Sequence, residues 1–204
     1  KLCEIITGQR PYDEFYILFE SRYSKGFKAE KDLNRIGVVN QTTMLATETT
    51  EIANLIKQAL IDKYGESEVN NHYADTRHTL CYATNDNQQA TYGLLEHSFD
   101  AAFVVGGYNS SNTSHIVELC EEKGNTYFIS SADEIVDKEE INHFDYENKK
   151  LVNTKNFLPK DQQKPTFILT SGASCPDTLV DGVLDKLLSF FPDSKSKEEV
   201  LATL

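Results

Sequence analysis

The chain has 204 residues, 39% of them hydrophobic, and its 32 acidic against 20 basic side chains give a formal net charge of -12. That length and apolar content suffice for a real core in one large or two small domains, while the acidic balance argues against general nucleic-acid binding, which needs a concentrated basic face. No run of about 18 apolar residues exists to span a membrane, and the opening KLCEIITGQR has neither a signal-peptide pattern nor an initiator Met, so the chain is expected to begin inside a longer protein.

Read for periodicity, one unit repeats: a short β-rich run, a turn of hydroxyl and amide residues, then an amphipathic helix. In the first copy, IGVV (residues 36–39) predicts a buried strand and NQTTM (40–44) the turn. Ile52, Leu55, Ile56, Ala59 and Leu60 then recur at helical spacing until Tyr64-Gly65 ends the helix. The stretch RHTLCYATNDNQQA places Cys81 just before a predicted helix, with Thr84 or Asn85 as its cap and Leu94 and Leu95 on its apolar face. In the second copy AAFVV (101–105) runs into GGYNSSNTS, then a helix with Ile116, Leu119 and Cys120 on one face until Gly124, and TYFIS follows as a further strand. The charged stretch 133–164 reads as a surface excursion with short strands. The third copy is TFILT (166–170), SGASCPD, and a helix opened by Pro176 at its first position, with Leu179, Val180, Val183, Leu184, Leu187 and Leu188 on the buried stripe. SKSKEE near the end predicts a solvated helix start.

Strands alternating with helices in this way predict an α/β fold with a parallel sheet, because parallel strands need crossover connections. Ligands of such sheets gather beyond the carboxyl ends of the strands, where all three polar turns are predicted to lie. A helix start leaves backbone N–H groups unpaired and carries about half a positive charge, so it holds a phosphate without Lys or Arg. Gly106 and Gly107 allow close backbone approach, and Ser110, Ser111 and Asn112 add side-chain donors. The plainer alternative is that Thr113 or Ser114 caps the helix and the rest is a polar loop. Thr42 and Thr43 after the first strand and the hydroxyls of residues 171–174 after the third favour a shared anion site over that alternative. No Walker A motif and no G-x-G-x-x-G occur, which weakens a nucleotide reading.

The four cysteines, Cys3, Cys81, Cys120 and Cys175, have no metal-motif spacing, and without secretory context they point to a reducing compartment. Cys120 reads as core and Cys175 as a bystander of the third turn. Cys81, ahead of a helix, would have a lowered thiol pKa and could serve as nucleophile or metal ligand. His78 reads as an ordinary polar histidine, since two ligands do not make a site.

Taken together and in order, VVNQTTM, TLCYATNDNQQA, VVGGYNSSNTSHI and TSGASCPDTLV resemble the signature segments of the 4-hydroxy-3-methylbut-2-enyl diphosphate reductase (LytB) family. The resemblance runs from about residue 24 to about residue 188, and YSKGFKAEKDL is closer to the longer plant and cyanobacterial members. It implies part of a three-lobed α/β reductase around a [4Fe-4S] cluster held by three cysteines, with one iron open. Residues 1–78 would belong to the second lobe, 79–170 to the third, and 171–204 to a substrate-site turn, helix and tail. By the same resemblance Cys81 matches one cluster ligand, and Ser110, Ser111, Asn112 and Ser174 match the groups on the substrate diphosphate. Thr42 matches the residue near the substrate hydroxyl and its proton relay. The implied reaction ends the non-mevalonate route to isoprenoids, with a ferredoxin or flavodoxin-type electron donor, in bacterial cytoplasm or plastid stroma. Two further family cysteines, the diphosphate-binding histidines and a catalytic glutamate have no counterpart here: none of His72, His78, His97, His115 and His143 stands in the context of the family's diphosphate-binding histidines, and Cys3 lies outside the second-cysteine context. The chain is therefore expected to be a fragment without reductase activity of its own. A non-catalytic α/β module for a phosphorylated ligand, and a hydrolase with Cys81 as nucleophile, are the competing readings.

Overall fold

The computed structural model describes residues 1–41, 43–76, 82–159 and 164–203, apart from the side chain of residue 198. Two compact units divide the chain, Lys1–Cys81 and Tyr82–Leu204, and each is described by itself.

In the first unit the elements are α1 (Leu2–Ile6), α2 (Asp13–Leu18), α3 (Ala29–Asp32), β1 (Ile36–Gly37), α4 (Ala46–Tyr64), α5 (Val69–His72) and β2 (Tyr73–Ala74). Strand β1 pairs in parallel with β2 through two residues only. The predicted buried strand 36–39 is thus half as long as expected, and Val39 is 69% exposed, with nothing among the described residues of the unit covering it. Helix α4 ends at Gly65, whose φ of +88° suits glycine. Its buried stripe is Ile56, Ala59 and Leu60, packed on Ile6 and Val69, whereas Ile52 and Leu55, expected on that face, are exposed. The physical reason is one-sided cover: α1 and α5 are too short to shield a wide apolar stripe along 19 residues. The end of α4 is tied down by Tyr64, which stacks on His72 at 3.5 Å and donates to the Asn34 side-chain carbonyl at 2.6 Å.

In the second unit come α6 (Tyr82–Leu95), β3 (Ala101–Val105), α7 (Ser111–Glu121), β4 (Thr126–Ile129), a 3-10 turn (Ala132–Glu134), β5 (Glu140–Asp145), β6 (Lys150–Lys155), β7 (Phe167–Ser171), α8 (Asp177–Leu188) and α9 (Lys197–Leu201). Strands β4, β3 and β7 form a parallel sheet in that order, with Val105 opposite both Ile129 and Ser171. The α/β expectation is met in this sheet. Every residue of β3 is buried, as befits a central strand covered on both faces. On one face Phe103 and Val105 pack with Val183 and Leu187 of α8, Ile141 of β5 and Phe157. On the other, Ala102 and Val104 meet Ile116, Val117 and Cys120 of α7. The stretch 133–164 is not only a surface excursion, since β5 and β6 form an antiparallel hairpin that buries Ile141 completely.

Helix α8 departs from expectation at its start: Pro176 is the extended cap residue before the first turn, and Leu179 is 36% exposed. Helix α6 departs more. Its buried residues are Thr84, Gln88 and Thr91, so the face that packs is mostly polar; of the two expected leucines, Leu95 is partly buried against the core and Leu94 is exposed. Thr84 lies inside the helix and is not its cap.

His143 on β5 carries a pH consequence for this unit. Its Nε2 lies 2.9 Å from the Thr154 hydroxyl, its ring is edge-on to Tyr127, and burial holds the imidazole below its ordinary range against the pull of Asp145 and Glu134. The fold favours the neutral ring, so this group costs nothing above about pH 6.5 and destabilises as pH falls below that value, until the folded ring itself protonates. Urea midpoints at about pH 7.5 and about pH 5.5 should show an acid loss that shrinks in His143→Gln.

Candidate functional site

The carboxyl ends of the three parallel strands meet at one edge. The Gly106 N–H donates to the Ile129 carbonyl at 2.9 Å, and the Gly172 N–H donates to the Val105 carbonyl at 3.2 Å. The turns after β3 and β7 are therefore neighbours. Thr113 wedges between them: a Cβ added to Gly106 would fall 2.7 Å from its Oγ1, and one added to Gly172 would fall 2.1 Å from the same atom. Both glycines are required by close approach of the side chain, not by backbone angles.

Helix α7 begins at this edge. Ser110 is its extended cap and accepts from the Thr113 N–H at 3.3 Å, while its own N–H donates to the Gly107 carbonyl at 2.9 Å. The plainer reading placed the cap at Thr113 or Ser114; both lie inside α7 and are buried. Ser111 is exposed at the first position of the helix. Asn112 is 4% exposed, yet its Nδ2 and Oδ1 are both buried with no hydrogen-bond partner, as is the Thr113 Oγ1. A buried amide without partners costs about 1 to 3 kcal/mol per unmet group, so this side chain is placed to gain from a ligand or a water that supplies them. No Lys or Arg occurs from residue 101 to 121, and His115 faces Glu118 at 3.0 Å. Within residues 101–121 the first-turn N–H groups, the helix dipole and these side chains are the means for holding an anion.

Ser174 is exposed in the turn after β7, which the Cys175 N–H closes on the Gly172 carbonyl at 2.8 Å. That turn is also gripped from α6, where the Asn87 Nδ2 donates to the Ser171 carbonyl at 3.1 Å and Thr91 and Thr170 pair through their hydroxyls at 3.1 Å. Sequence reading missed this grip. Its signal was polar residues at 84, 88 and 91, one helical face, where leucines further along drew attention instead.

The turn near residue 42 belongs to the first unit. There the Asn40 side chain has both amide atoms buried without a partner, and the Met44 N–H donates to the Gln41 carbonyl at 3.0 Å. Thr42, Cys81 and His78 lie outside the described residues.

Among the described residues no group of three or more His, Cys, Asp or Glu could hold a metal ion. Cys120 is core, as expected, its thiol pushed up to about 12 by burial, and burial also raises Cys175. Neither is a thiolate near neutrality. The described part of the chain thus does not by itself fit an iron-sulfur cluster. Among the described residues no helix is long and apolar enough to cross a membrane.

Fold and site define a class: a parallel α/β protein with a lysine-free, hydroxyl- and amide-lined helix start at the carboxyl edge of its sheet. The chain belongs to the LytB family, whose model, described as LytB protein, matches residues 4–188. The match begins well before residue 24, where the resemblance read from sequence starts. The chain is 39% identical over 187 residues to the 4-hydroxy-3-methylbut-2-enyl diphosphate reductase of Crocosphaera subtropica, covering 91% of this chain and 46% of that protein. It is 37% identical over 190 residues to the reductase of the same name from Trichodesmium erythraeum, covering 92% and 46%. The chain spans about half the length of the curated relatives it matches. Of solved structures, the (E)-4-hydroxy-3-methyl-but-2-enyl diphosphate reductase described as the terminal enzyme of the non-mevalonate pathway aligns over 76% of this chain and 44% of that one, with 22% identity and a TM-score of 0.41. The Plasmodium falciparum reductase structure aligns over 74% and 38%, with 21% identity and a TM-score of 0.47.

Proposed function

We propose that the chain supplies the diphosphate-holding part of a 4-hydroxy-3-methylbut-2-enyl diphosphate reductase. Residues 1–78 then stand as part of its second lobe, 79–170 as its third, and 171–204 as the substrate-site turn, helix and tail. The observation that carries the proposal is the Asn112 amide, buried and unpartnered at the start of α7 in a family whose named members act on a diphosphate. In this reading Ser110, Ser111, Asn112 and Ser174 hold the two phosphates, and Thr42 sits by the allylic hydroxyl. Cys81 contributes one thiolate to a [4Fe-4S] cluster whose other ligands come from outside this chain, and which would supply electrons and a Lewis acid at the hydroxyl. The hydroxyl leaves as water while two electrons and two protons enter, giving isopentenyl or dimethylallyl diphosphate. What this chain's residues contribute is orientation: a diphosphate fixed at the helix start leaves the far end of a small molecule little freedom. The electron donor is of ferredoxin or flavodoxin type, and the setting is a bacterial cytoplasm or plastid stroma.

Asn112→Ala tests the proposal because function and stability should separate. Pyrophosphate affinity, by titration calorimetry, is expected to fall by about 1 to 3 kcal/mol, and in a complete reductase KM for the substrate should rise. The ligand-free urea midpoint should hold or increase, since an unpaired buried amide is removed. Unchanged pyrophosphate affinity, or a wild type that binds none, removes the diphosphate assignment.

A further inference from the structure

The turn that leads into α7 has little to hold it from within. Gly106 and Gly107 open it, a Cβ at Gly107 would touch nothing within 4 Å, and among the described residues the backbone hydrogen bond across it runs from the Ser110 N–H to the Gly107 carbonyl. Its course is set from outside by Tyr108. That ring stacks on Phe144 of β5 with centroids 4.6 Å apart and planes 15° apart, and it stands edge-on to Phe128 of β4 at 5.1 Å. Its hydroxyl donates to the Glu134 carboxylate, and the other oxygen of that carboxylate accepts the Ser130 N–H at 2.5 Å. One side chain in the 3-10 turn after β4 therefore ties the end of β4 to the turn after β3. Burial and the neighbouring carboxylate push the phenol well above its ordinary range, so the hydroxyl stays a donor. The stack on Phe144 further means that the β5–β6 hairpin is the wall against which this turn leans.

We propose that Tyr108 and Glu134 are positioning residues: they hold residues 107–110 in the course that presents Ser110, Ser111 and Asn112 to a phosphate-bearing ligand. This rests on the diphosphate reading above for the ligand, but the positioning itself is measurable without one. Tyr108→Phe keeps both ring contacts and removes the donor, while Glu134→Gln keeps an oxygen for one of the two N–H or O–H partners.

In the ligand-free chain, amide hydrogen exchange at residues 107–112 is expected to quicken about fivefold in Tyr108→Phe, the worth of one ordinary hydrogen bond, with exchange in β3 and β7 unchanged. Glu134→Gln should give a smaller effect of the same kind. Pyrophosphate affinity should weaken by about the same factor in Tyr108→Phe. If exchange at 107–112 is unaltered, or rises equally throughout the sheet, the positioning role is overturned. A wild type that binds no pyrophosphate overturns the diphosphate reading, and exchange still decides whether Tyr108 and Glu134 hold the turn.

Discussion

Phe103→Ala is expected to cost the second unit about 3 to 5 kcal/mol, the usual range for truncating a buried phenylalanine. The ring is fully buried at the middle of β3, with ring centroids of Tyr127 at 5.6 Å, Phe167 at 5.6 Å and Phe157 at 6.2 Å. Those neighbours come from β4, β7 and the segment after β6, so a cavity there cannot be closed by moving one element. Because whole domains are stable by only about 5 to 15 kcal/mol, the variant should lose much of its unfolding free energy, read as a lowered urea midpoint with the slope unchanged. A loss below about 1 kcal/mol would mean that the three-sided aromatic cluster is not packed as described.

The second large effect is at Gly172. A methyl group there would sit 2.1 Å from the Thr113 Oγ1 and 3.2 Å from its Cβ, far inside van der Waals contact. Thr113 cannot easily step aside: it is completely buried, its N–H is held by Ser110, and its backbone is the first turn of α7. Gly172→Ala is accordingly expected to destabilise by about 1 to 3 kcal/mol and to push apart the two turns that face each other across Thr113. The mechanism is checked by a double-mutant cycle. Thr113→Ala removes the clashing oxygen and methyl, so the pair should cost less than the sum of the single changes, with a coupling of about 1 kcal/mol or more. Strict additivity would show that the two turns do not share this slot.

How far the sequence anticipated this arrangement varies with the kind of force involved. AAFVV was legible as a buried strand because a continuous apolar run that follows Asp100 and ends at two glycines has few other homes, and β3 bears this out over the same five residues. IGVV has a similar composition, but burial depends on cover that composition does not announce, and only Ile36 and Gly37 pair. In α6 apolar periodicity pointed at Leu94 and Leu95; Leu95 does pack against the core beside α7, but Leu94 is exposed and the buried face runs through Thr84, Gln88 and Thr91, since side-chain hydrogen bonds leave no hydrophobic signature. The crowded course of α7 was legible as a polar helix start, but which residue caps it was not, because serine, threonine and asparagine compete for that place on nearly equal terms. The family was legible from four ordered motifs. The link between Tyr108 and Glu134 was not, since 26 residues separate them and neither residue type is unusual in its setting.

The absence of lysine and arginine from residues 101–121 has a consequence for selectivity in a chain of net charge -12. In the proposed role, a long polyanion would have to approach many carboxylates at once, while a small anion at the start of α7 would feel mainly the dipoles within a screening length of about 8 Å. Acidity of the body and neutrality of the turn would then together act as a sieve for size.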